Sequence, residues 1–348
     1  MCGRMKKWFV VMLIMLLLPV AALAQERLFV DDAGREVMIE EEISRVVVTG
    51  PLGQIAVFAI APDSLVGLCS AWDSDAAPYI DTETYNLPVI GQIYGGKGNV
   101  NLEELMAADP QVVIDVGEPR GDIVADLNHL QEQTGLPFVH ISAYIDSLDK
   151  TYMRLGELLG MPKEAKVLSD YCAEVYGKVH ALAQRVEKKR LLYVVGATGL
   201  GVIARGSFHS AVIDMLSDNI AVLENPSSKG TGNEVDLEQI LTWNPDVILF
   251  SQYDEFEQVA DDPLWQAVSA IEKNTYYEVP VGPYNWMGFP PGVQRLLGML
   301  LMGKVLYPQE ADWDMFEEAV RHFDLFYHSE LTRGQYDALM KNTIGKLN

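Results

Sequence analysis

Two stretches of this chain repeat one another, and the repeat constrains the possible fold more than any other feature of the sequence. Residues 100–116 read VNLEELMAADPQVVIDV, and residues 235–251 read VDLEQILTWNPDVILFS. Five positions, occupied by Val, Leu, Glu, Pro and Val, are identical in the two stretches, and several of the remaining positions differ conservatively. In each copy a helical pattern stops before a proline, because the residue preceding proline avoids the helical region, and a buried strand follows. The repeat therefore predicts two equivalent α/β lobes.

Short apolar runs alternate with helical patterns around both copies of the repeat. This alternation predicts an α/β fold of two Rossmann-like lobes, each with a mostly parallel sheet covered by helices. Before it begins, residues 27–41 predict a β-hairpin that turns at Asp32-Ala33-Gly34. The predicted strands are 45–51, 64–70, 111–116, 137–142, 190–197, 245–251 and 275–282. The predicted helices are 52–61, 102–110, 125–135, 210–217, 236–244 and 263–273.

The first 24 residues have the features of a secretory signal peptide. A basic start that includes Arg4 and Lys6 precedes an apolar run, and the small-residue site Ala-Leu-Ala ends at Ala24. We expect cleavage after Ala24 and a periplasmic location. A membrane-anchoring helix is the alternative, but Pro19 and the small-residue site argue against it.

The chain beyond the signal segment divides into four parts. We predict an N-terminal lobe at 25–145, a helical linker at 146–189, a C-terminal lobe at 190–307 and a C-terminal helical extension at 308–348. Within the linker, residues 162–188 predict one helix about 40 Å long, which is enough to span both lobes. The extension carries two amphipathic patterns, at 312–328 and 332–342, to which the sequence assigns no function.

Charge and cysteine content exclude some classes of protein. The net charge of −23 becomes −26 once the three positive charges of the signal segment are removed. Such acidity argues against nucleic acid or an anionic membrane surface as a partner. Cys69 and Cys172 remain after cleavage, and either a disulfide or two buried free thiols is compatible with the sequence.

Several segments, taken in order, resemble the class III periplasmic substrate-binding proteins of importers for ferric siderophores, haem and cobalamin. The resemblance rests on the hairpin FVDDAGREVMI leading to RVVVTG, the repeated pair, the long linker helix and the export signal. Residues 286–308, WMGFPPGVQRLLGMLLMGKVLYP, are similar to the iron-complex branch of that family. The resemblance implies two lobes joined by a rigid helix with a metal-chelate ligand between them. We expect a monomer with no cofactor and no enzymatic activity.

The resemblance also implies a membrane partner. In this family one glutamate of each lobe docks onto arginines of an ABC permease dimer in the inner membrane. Glu103 and Glu238, the glutamates of the repeated Asn-Leu-Glu and Asp-Leu-Glu, match those positions. Taken singly, each could instead be an ordinary first-turn acid that complements its helix dipole.

Ligands of open α/β sheets bind beyond the carboxyl ends of the strands. The loops at that edge are 49–51, 91–99, 116–121, 197–209, 225–233, 251–255 and 282–288. Aromatic rings can cover a flat ligand, and basic groups can meet carboxylates or an oxyanion. The candidate ligand-binding residues in these loops are Tyr94, Lys97, Arg205, His209, Lys229, Tyr253, Tyr284 and Trp286. Ordinary packing or a solvated surface charge is the alternative at each.

Other site types have weaker support. Gly98 follows Lys97, so the glycine-rich loop does not satisfy the phosphate-loop pattern. A bare-zinc binder is disfavoured because the six histidines form no histidine-rich loop, although His140 and His209 could converge in space. A chelatase-like enzyme or a periplasmic sensor is the alternative class, but no nucleophile elbow or HExxH is present. The expected cargo is an iron complex (a ferric siderophore or haem) or a cobalamin-like metal chelate, and a nickel chelate or a molybdate-type oxyanion is the alternative.

Overall fold

The computed structural model describes residues 25–93, 98, 100–227, 229–251, 256–263 and 265–347. The signal segment lies outside these residues. The strands are β1 Glu26–Val30, β2 Glu36–Glu40, β3 Val46–Val48, β4 Val112–Gly117, β5 Phe138–Ser142, β6 Arg190–Val195, β7 Gly201–Val202, β8 Asp218–Asn219, β9 Asn233–Glu234, β10 Val247–Ser251 and β11 Tyr276–Glu278. The α-helices are α1 Pro51–Ile60, α2 Thr82–Tyr85, α3 Leu102–Ala107, α4 Ile123–Thr134, α5 Leu148–Leu159, α6 Pro162–Ala183, α7 Ala211–Leu216, α8 Leu237–Trp243, α9 Ser269–Glu272, α10 Arg295–Leu306, α11 Met315–Tyr327 and α12 Arg333–Leu339.

The N-terminal lobe is built on a parallel sheet in the order β3-β4-β5. Its strands are buried on both faces, as the continuous apolar runs predict. The hairpin of β1 and β2 joins this sheet through Arg35, which forms a buried ion pair with Asp31 at 3.1 Å and donates to the Phe138 carbonyl at 2.8 Å. A buried charge needs such partners, so the hairpin is held in one position.

The C-terminal lobe repeats this plan with a mixed sheet in the order β11-β10-β6-β7-β9, in which β8 pairs with β6. The central pairs β10-β11, β10-β6 and β6-β8 are parallel, whereas the pairs that involve β7 are antiparallel. The chain is therefore a two-lobed α/β protein, which confirms the predicted fold class. The residue boundaries proposed for the lobes remain a prediction.

The repeated stretches form matching helix–strand units, α3 with β4 and α8 with β10. Asn101 and Asp236 cap the two helices: the side chain of Asn101 accepts from the Glu103 N–H, and that of Asp236 accepts from the Gln239 N–H. Ser, Thr, Asp and Asn are the preferred residues at this position. The repeat thus encodes the same local structure twice.

Helix α6 joins the two lobes. It packs against α1 and α5 of the N-terminal lobe and against α7 and α10 of the C-terminal lobe. The helix ends at Ala183 rather than at residue 188, so its length is about 33 Å. The chain leaves the helix there because it must turn before entering β6 at Arg190.

Other predicted elements also differ from the structure in extent or type. Residues 64–70 form isolated bridges from Leu65 and Leu68 instead of a strand. The side chain of Ile90 packs so closely over Gly67 that a Cβ there would lie 2.3 Å from its Cδ1. Among the described residues of the predicted helix 263–273, only 269–272 are helical, and turns precede them.

The C-terminal extension packs across the whole molecule as α11 and α12. It contacts the N-terminal lobe, α6 and the C-terminal lobe in turn. These contacts are His328 Nε2 with the Phe58 carbonyl at 3.2 Å, Arg321 with Glu174 at 2.8 Å, and Lys346 Nζ with the Tyr276 carbonyl at 2.7 Å. Burial lowers the pKa of Lys346 to about 8, with Glu257 acting in the opposite direction.

Both cysteines are buried free thiols, which decides between the two alternatives that the sequence left open. Burial raises the pKa of Cys69 to about 12 and that of Cys172 further. Thiols in such surroundings are poor nucleophiles because the thiolate is the reactive form. Within residues 25–347 as described, no helix is long and apolar enough to cross a membrane.

Candidate functional site

A pocket of about 580 Å³ opens where loops of both lobes meet, and we refer to it as the cleft pocket. The N-terminal lobe contributes residues 49–52, 115–116 and 118–120, which lie at the carboxyl ends of β3 and β4. The C-terminal lobe contributes 208–209, 229–230 and 290–291. This is the edge at which open α/β sheets bind ligands. Its volume is in the range of pockets that hold small organic ligands.

Helix α1 begins at the wall of the cleft pocket. Gly50 is its N-cap residue in extended conformation, Pro51 takes the first helical position, and no side chain caps the helix or places an acid in its first turn. The helix also approaches the sheet closely, since a Cβ on Gly53 would lie 3.1 Å from Val48 Cβ. Unpaired N–H groups and the positive end of the dipole at such a terminus favour an anion.

Arg295, the first residue of α10, is a basic residue that the sequence reasoning missed. It is 4% exposed, and its Nε has no hydrogen-bond partner among the described residues. Burial lowers the pKa of Arg295 to about 10, and Glu118 on the opposite lobe acts against this shift. A buried guanidinium normally has partners, and Arg295 lies behind the residues that line the cleft pocket rather than among them.

His209 lies at the C-terminal wall, 9% exposed, with its ring stacked on Phe289 at 5.0 Å between centroids. Its Nδ1 also has no partner within the described part of the chain. Burial lowers the pKa of His209, a hydrogen bond to the Gly288 backbone acts in the opposite direction, and Arg295 and Arg120 lower it further. At neutral pH the ring is therefore neutral and able to donate one hydrogen bond or accept one.

Charges of both signs line the cleft pocket. Arg120 and Lys229 are exposed at its rim, while Glu118 is half-buried. Burial raises the pKa of Glu118, and Arg295 and Arg120 oppose that shift. Together with Arg295, the basic groups outnumber the carboxylates of Asp115 and Glu118. The charge around the cleft pocket is therefore nearly balanced although the whole protein is strongly acidic.

A family model described as periplasmic binding protein matches residues 61–281, more than half of the chain. The chain belongs to the periplasmic binding protein family. Members of this family deliver small-molecule ligands to ABC permeases from a periplasmic location. Its relatives are binding proteins, not enzymes.

Three relatives illustrate the range within this family. Molybdate-binding protein MolA of Haemophilus influenzae is 25% identical over 334 residues, which cover 87% of this chain and 92% of MolA. An ABC transporter solute-binding protein of Sulfurospirillum deleyianum superposes with a TM-score of 0.83 at 22% identity, over 90% of this chain and 99% of that chain. Helicobacter pylori CeuE in complex with Ni-His gives a TM-score of 0.59 at 16% identity, over 90% and 99% of the two chains. The two structural matches establish the fold alone.

Two of the predicted ligand-binding residues of this periplasmic binding protein line the cleft pocket, and the others do not or lie outside the described residues. His209 and Lys229 line the cleft pocket. Arg205 does not line the cleft pocket. It pairs with Asp218 and donates to the Asn219 carbonyl at 2.7 Å. The candidates Tyr94, Lys97 and Tyr253 lie outside the described residues.

The two aromatic candidates of loop 282–288 point into the core instead of the cleft. Trp286 is 0% exposed, and its Nε1 donates to the Gly282 carbonyl at 3.0 Å. Tyr284 is buried against Trp72 at 5.8 Å between ring centroids, and burial raises its pKa well above the ordinary value. The sequence predicts that loop 282–288 lines the ligand site. In the structure, residues 290–291 of the same segment line the cleft pocket instead.

Glu103 and Glu238 are both exposed in the first turns of α3 and α8. They occupy equivalent positions in the two lobes, as the repeat predicts. Within the described part of the chain, no group of three or more His, Cys, Asp or Glu side chains is arranged to hold a metal ion.

Proposed function

We propose that this protein is the solute-binding component of an ABC importer and that its cargo is an oxyanion of the molybdate type. The observation that carries the proposal is the buried guanidinium of Arg295, whose Nε lacks a partner among the described residues. Arginine recognises oxyanions because its planar donors match their oxygens, and such charge-assisted bonds are strong. The relationship to MolA supports the same cargo class.

The groups that would hold the oxyanion come from both lobes. Arg295, behind the pocket wall, would supply donors from the C-terminal lobe, with Lys229 at the rim and the neutral His209 ring beside it. The free N–H groups at the start of α1 supply donors from the N-terminal lobe. An anion between these groups would connect the lobes, which is the mode of capture that the family fold supports. The proposed activity is binding without chemical conversion.

A metal chelate is the second candidate cargo. The cleft pocket, at about 580 Å³, has room for far more than a five-atom oxyanion. Its carboxylates, Asp115 and Glu118, would suit a ligand that carries positive charge or hydrogen-bond donors on one side. A ferric siderophore, haem, cobalamin or a nickel complex would fit these two features.

A titration series distinguishes the two candidates. Isothermal calorimetry of the purified protein should give saturable binding of sodium molybdate with a Kd of about 1 µM or tighter. Nickel with histidine, ferric catecholate and hydroxamate siderophores, haem and cobalamin form the comparison series. Binding of one of these without molybdate binding would establish the second candidate. Absence of binding for molybdate and for every compound of the comparison series would contradict the proposed function.

We further propose that Glu103 and Glu238 are the permease contacts and that the signal peptide is removed after Ala24. Each exposed ion pair with a permease arginine would contribute only about 0–1 kcal/mol. Reversing both charges, however, replaces two attractions with two repulsions, and like charges across an interface cost several kcal/mol. Docking would therefore be lost while the cleft pocket is left unchanged.

Glu103→Lys combined with Glu238→Lys should lower cargo uptake at least about tenfold in cells that depend on this protein. Cargo affinity, measured by calorimetry, should stay at the wild-type value. Glu104→Lys combined with Glu234→Lys is the matched control, since both glutamates are exposed and close in sequence to the docking pair. Equal loss of uptake in the control, or loss of affinity in the test variant, would contradict the docking assignment.

A further inference from the structure

A hydrogen-bonded chain of three side chains lies under the N-terminal wall of the cleft pocket. Asp115 and His140 are register partners on the parallel strands β4 and β5, and His140 Nδ1 lies 2.7 Å from Asp115 Oδ2. The hydroxyl of Thr49, at the end of β3, donates to Asp115 Oδ1. Thr49 and Asp115 line the cleft pocket, whereas His140 is 0% exposed beneath them. The proposed oxyanion site uses none of these three side chains as a ligand.

We propose that the Asp115–His140 pair takes up one proton from solvent when a dianion binds in the cleft pocket. This inference rests on the proposed function, since it requires an anionic cargo. The pair then serves as a specificity element: Asp115 faces the cargo, and His140 is a positioning residue that holds the carboxylate and carries the proton.

The hydrogen bonds define where the proton would be. In the proposed state without cargo, His140 Nδ1–H donates to Asp115, and Nε2, which lies 3.4 Å from Ser142 Oγ, keeps its lone pair. A proton added at Nε2 converts the pair from a net charge of about −1 to zero, as an imidazolium beside a carboxylate. Ser142 Oγ can accept the new N–H. Histidine is the side chain that most readily gains a proton near neutral pH.

The position of the pair explains why cargo would drive this uptake. A dianion held by the start of α1 lies next to Thr49 and so beside the Asp115 carboxylate. Like charges at this range repel each other strongly where water is excluded. Proton uptake by the pair reduces that repulsion without moving the carboxylate. Proton uptake would raise the affinity for a monoanion or a neutral chelate by less than it raises the affinity for a dianion.

Other charged groups around the pair are fixed or lie across the pocket. Behind His140, Asp31 accepts from its backbone N–H at 3.2 Å and is already paired with Arg35. Asp32, whose N–H donates to the His140 carbonyl, is paired with Arg154. The groups that face the pair across the cleft pocket are Glu118, Arg120, His209, Lys229 and, behind the wall, Arg295. Of these, His209 and Glu118 are the two rival sites for a proton, and the experiment must separate them from the pair.

Calorimetric titration of sodium molybdate in two buffers of different ionisation enthalpy measures the number of protons taken up. We expect about one proton per molybdate for the wild type. Affinity should rise about tenfold for each unit by which pH falls, over the range in which one proton is taken up. Asp115→Asn should take up none and lose this pH dependence. His209→Gln and Glu118→Gln should still take up one, even where affinity drops.

A second readout covers the case in which a substitution disturbs folding. In the wild-type protein, the ring ¹⁵N resonances of His140 should change from the neutral to the imidazolium pattern when molybdate is added. His140→Gln should fold, since an amide can donate to Asp115, and should bind molybdate with no proton uptake. Binding by the wild type with zero uptake, or uptake lost in His209→Gln but kept in Asp115→Asn, would overturn this inference alone. Failure of molybdate to bind would overturn the proposed function and this inference with it.

Discussion

Replacement of Arg295 with methionine should weaken molybdate binding by about 100-fold, a loss of about 2.7 kcal/mol. Arg295 is 4% exposed, and its Nε has no partner among the described residues, so its guanidinium would be completed by cargo. Truncating one side of a buried, hydrogen-bonded charge pair costs about 2–5 kcal/mol. Methionine keeps a flexible chain of similar length over Gly288, which packs against the arginine stem. Calorimetry with molybdate measures the effect.

Arg205→Met is the matched control for this substitution. Arg205, unlike Arg295, was predicted from the sequence to meet cargo, but its guanidinium is bound to Asp218 and the Asn219 carbonyl. We expect the control to bind molybdate with wild-type affinity. An equal loss in both variants would show that the effect is general electrostatics rather than contact. A folded Arg295→Met protein with unchanged affinity would remove Arg295 from the binding site.

Trp286→Ala should destabilise the protein by about 3–5 kcal/mol, the usual cost of deleting a large buried aromatic side chain. The ring is 0% exposed, its Nε1 is bonded to the Gly282 carbonyl, and it packs near Phe323 of α11. Deleting it would leave a cavity between the C-terminal lobe and the extension. Urea unfolding followed by circular dichroism gives the free energy of unfolding.

Trp243→Ala provides the comparison, because Trp243 is only half-buried at the end of α8. It should lose clearly less stability than Trp286→Ala. The more conservative Trp286→Phe should fold and bind molybdate as the wild type does, since the ring does not line the cleft pocket. Weaker binding in Trp286→Phe at unchanged stability would restore the sequence-based hypothesis of a cargo contact.

Elements with strong local signals were predictable from the sequence. Helix α4 ends where Gly135 adopts φ +73°, a conformation that glycine takes without strain. Strands β4 and β10 follow Pro110 and Pro245 as the repeat predicts. In both cases the neighbouring residues alone determine the structure, and no distant contact has to be known.

Features that depend on distant contacts were not predictable. Residues 64–70 have the composition of a strand, but their pairing partners are single residues, Val46 and Val89, so only bridges form. The direction of a loop side chain also depends on its neighbours in three dimensions. Trp286 turns inward because Gly282 and α11 offer a bonded, apolar site.

The same reasoning applies to the cleft pocket. The strand-end rule identified Thr49, His209 and Lys229 as neighbours of the site. Arg295 was missed because it lies in the apolar run of α10, where an isolated arginine looks like a helix surface residue. A charged residue at the first position of an otherwise buried helix is the signal that could have revealed it. His140 and Asp115 become a pair only once the β4–β5 register is known.

The C-terminal extension changes the mechanics of the molecule. The chain passes from one lobe to the other along α6, and the extension then binds back onto α1 while its last residues stay attached to β11. Two rigid bodies joined at two separate points can only rotate about the line through those points. The second attachment opposes sliding and twisting of one lobe against the other, and it thereby restricts changes in the spacing of Glu103 and Glu238. A partner that binds both lobes at once would then meet a surface whose spacing depends little on the cargo.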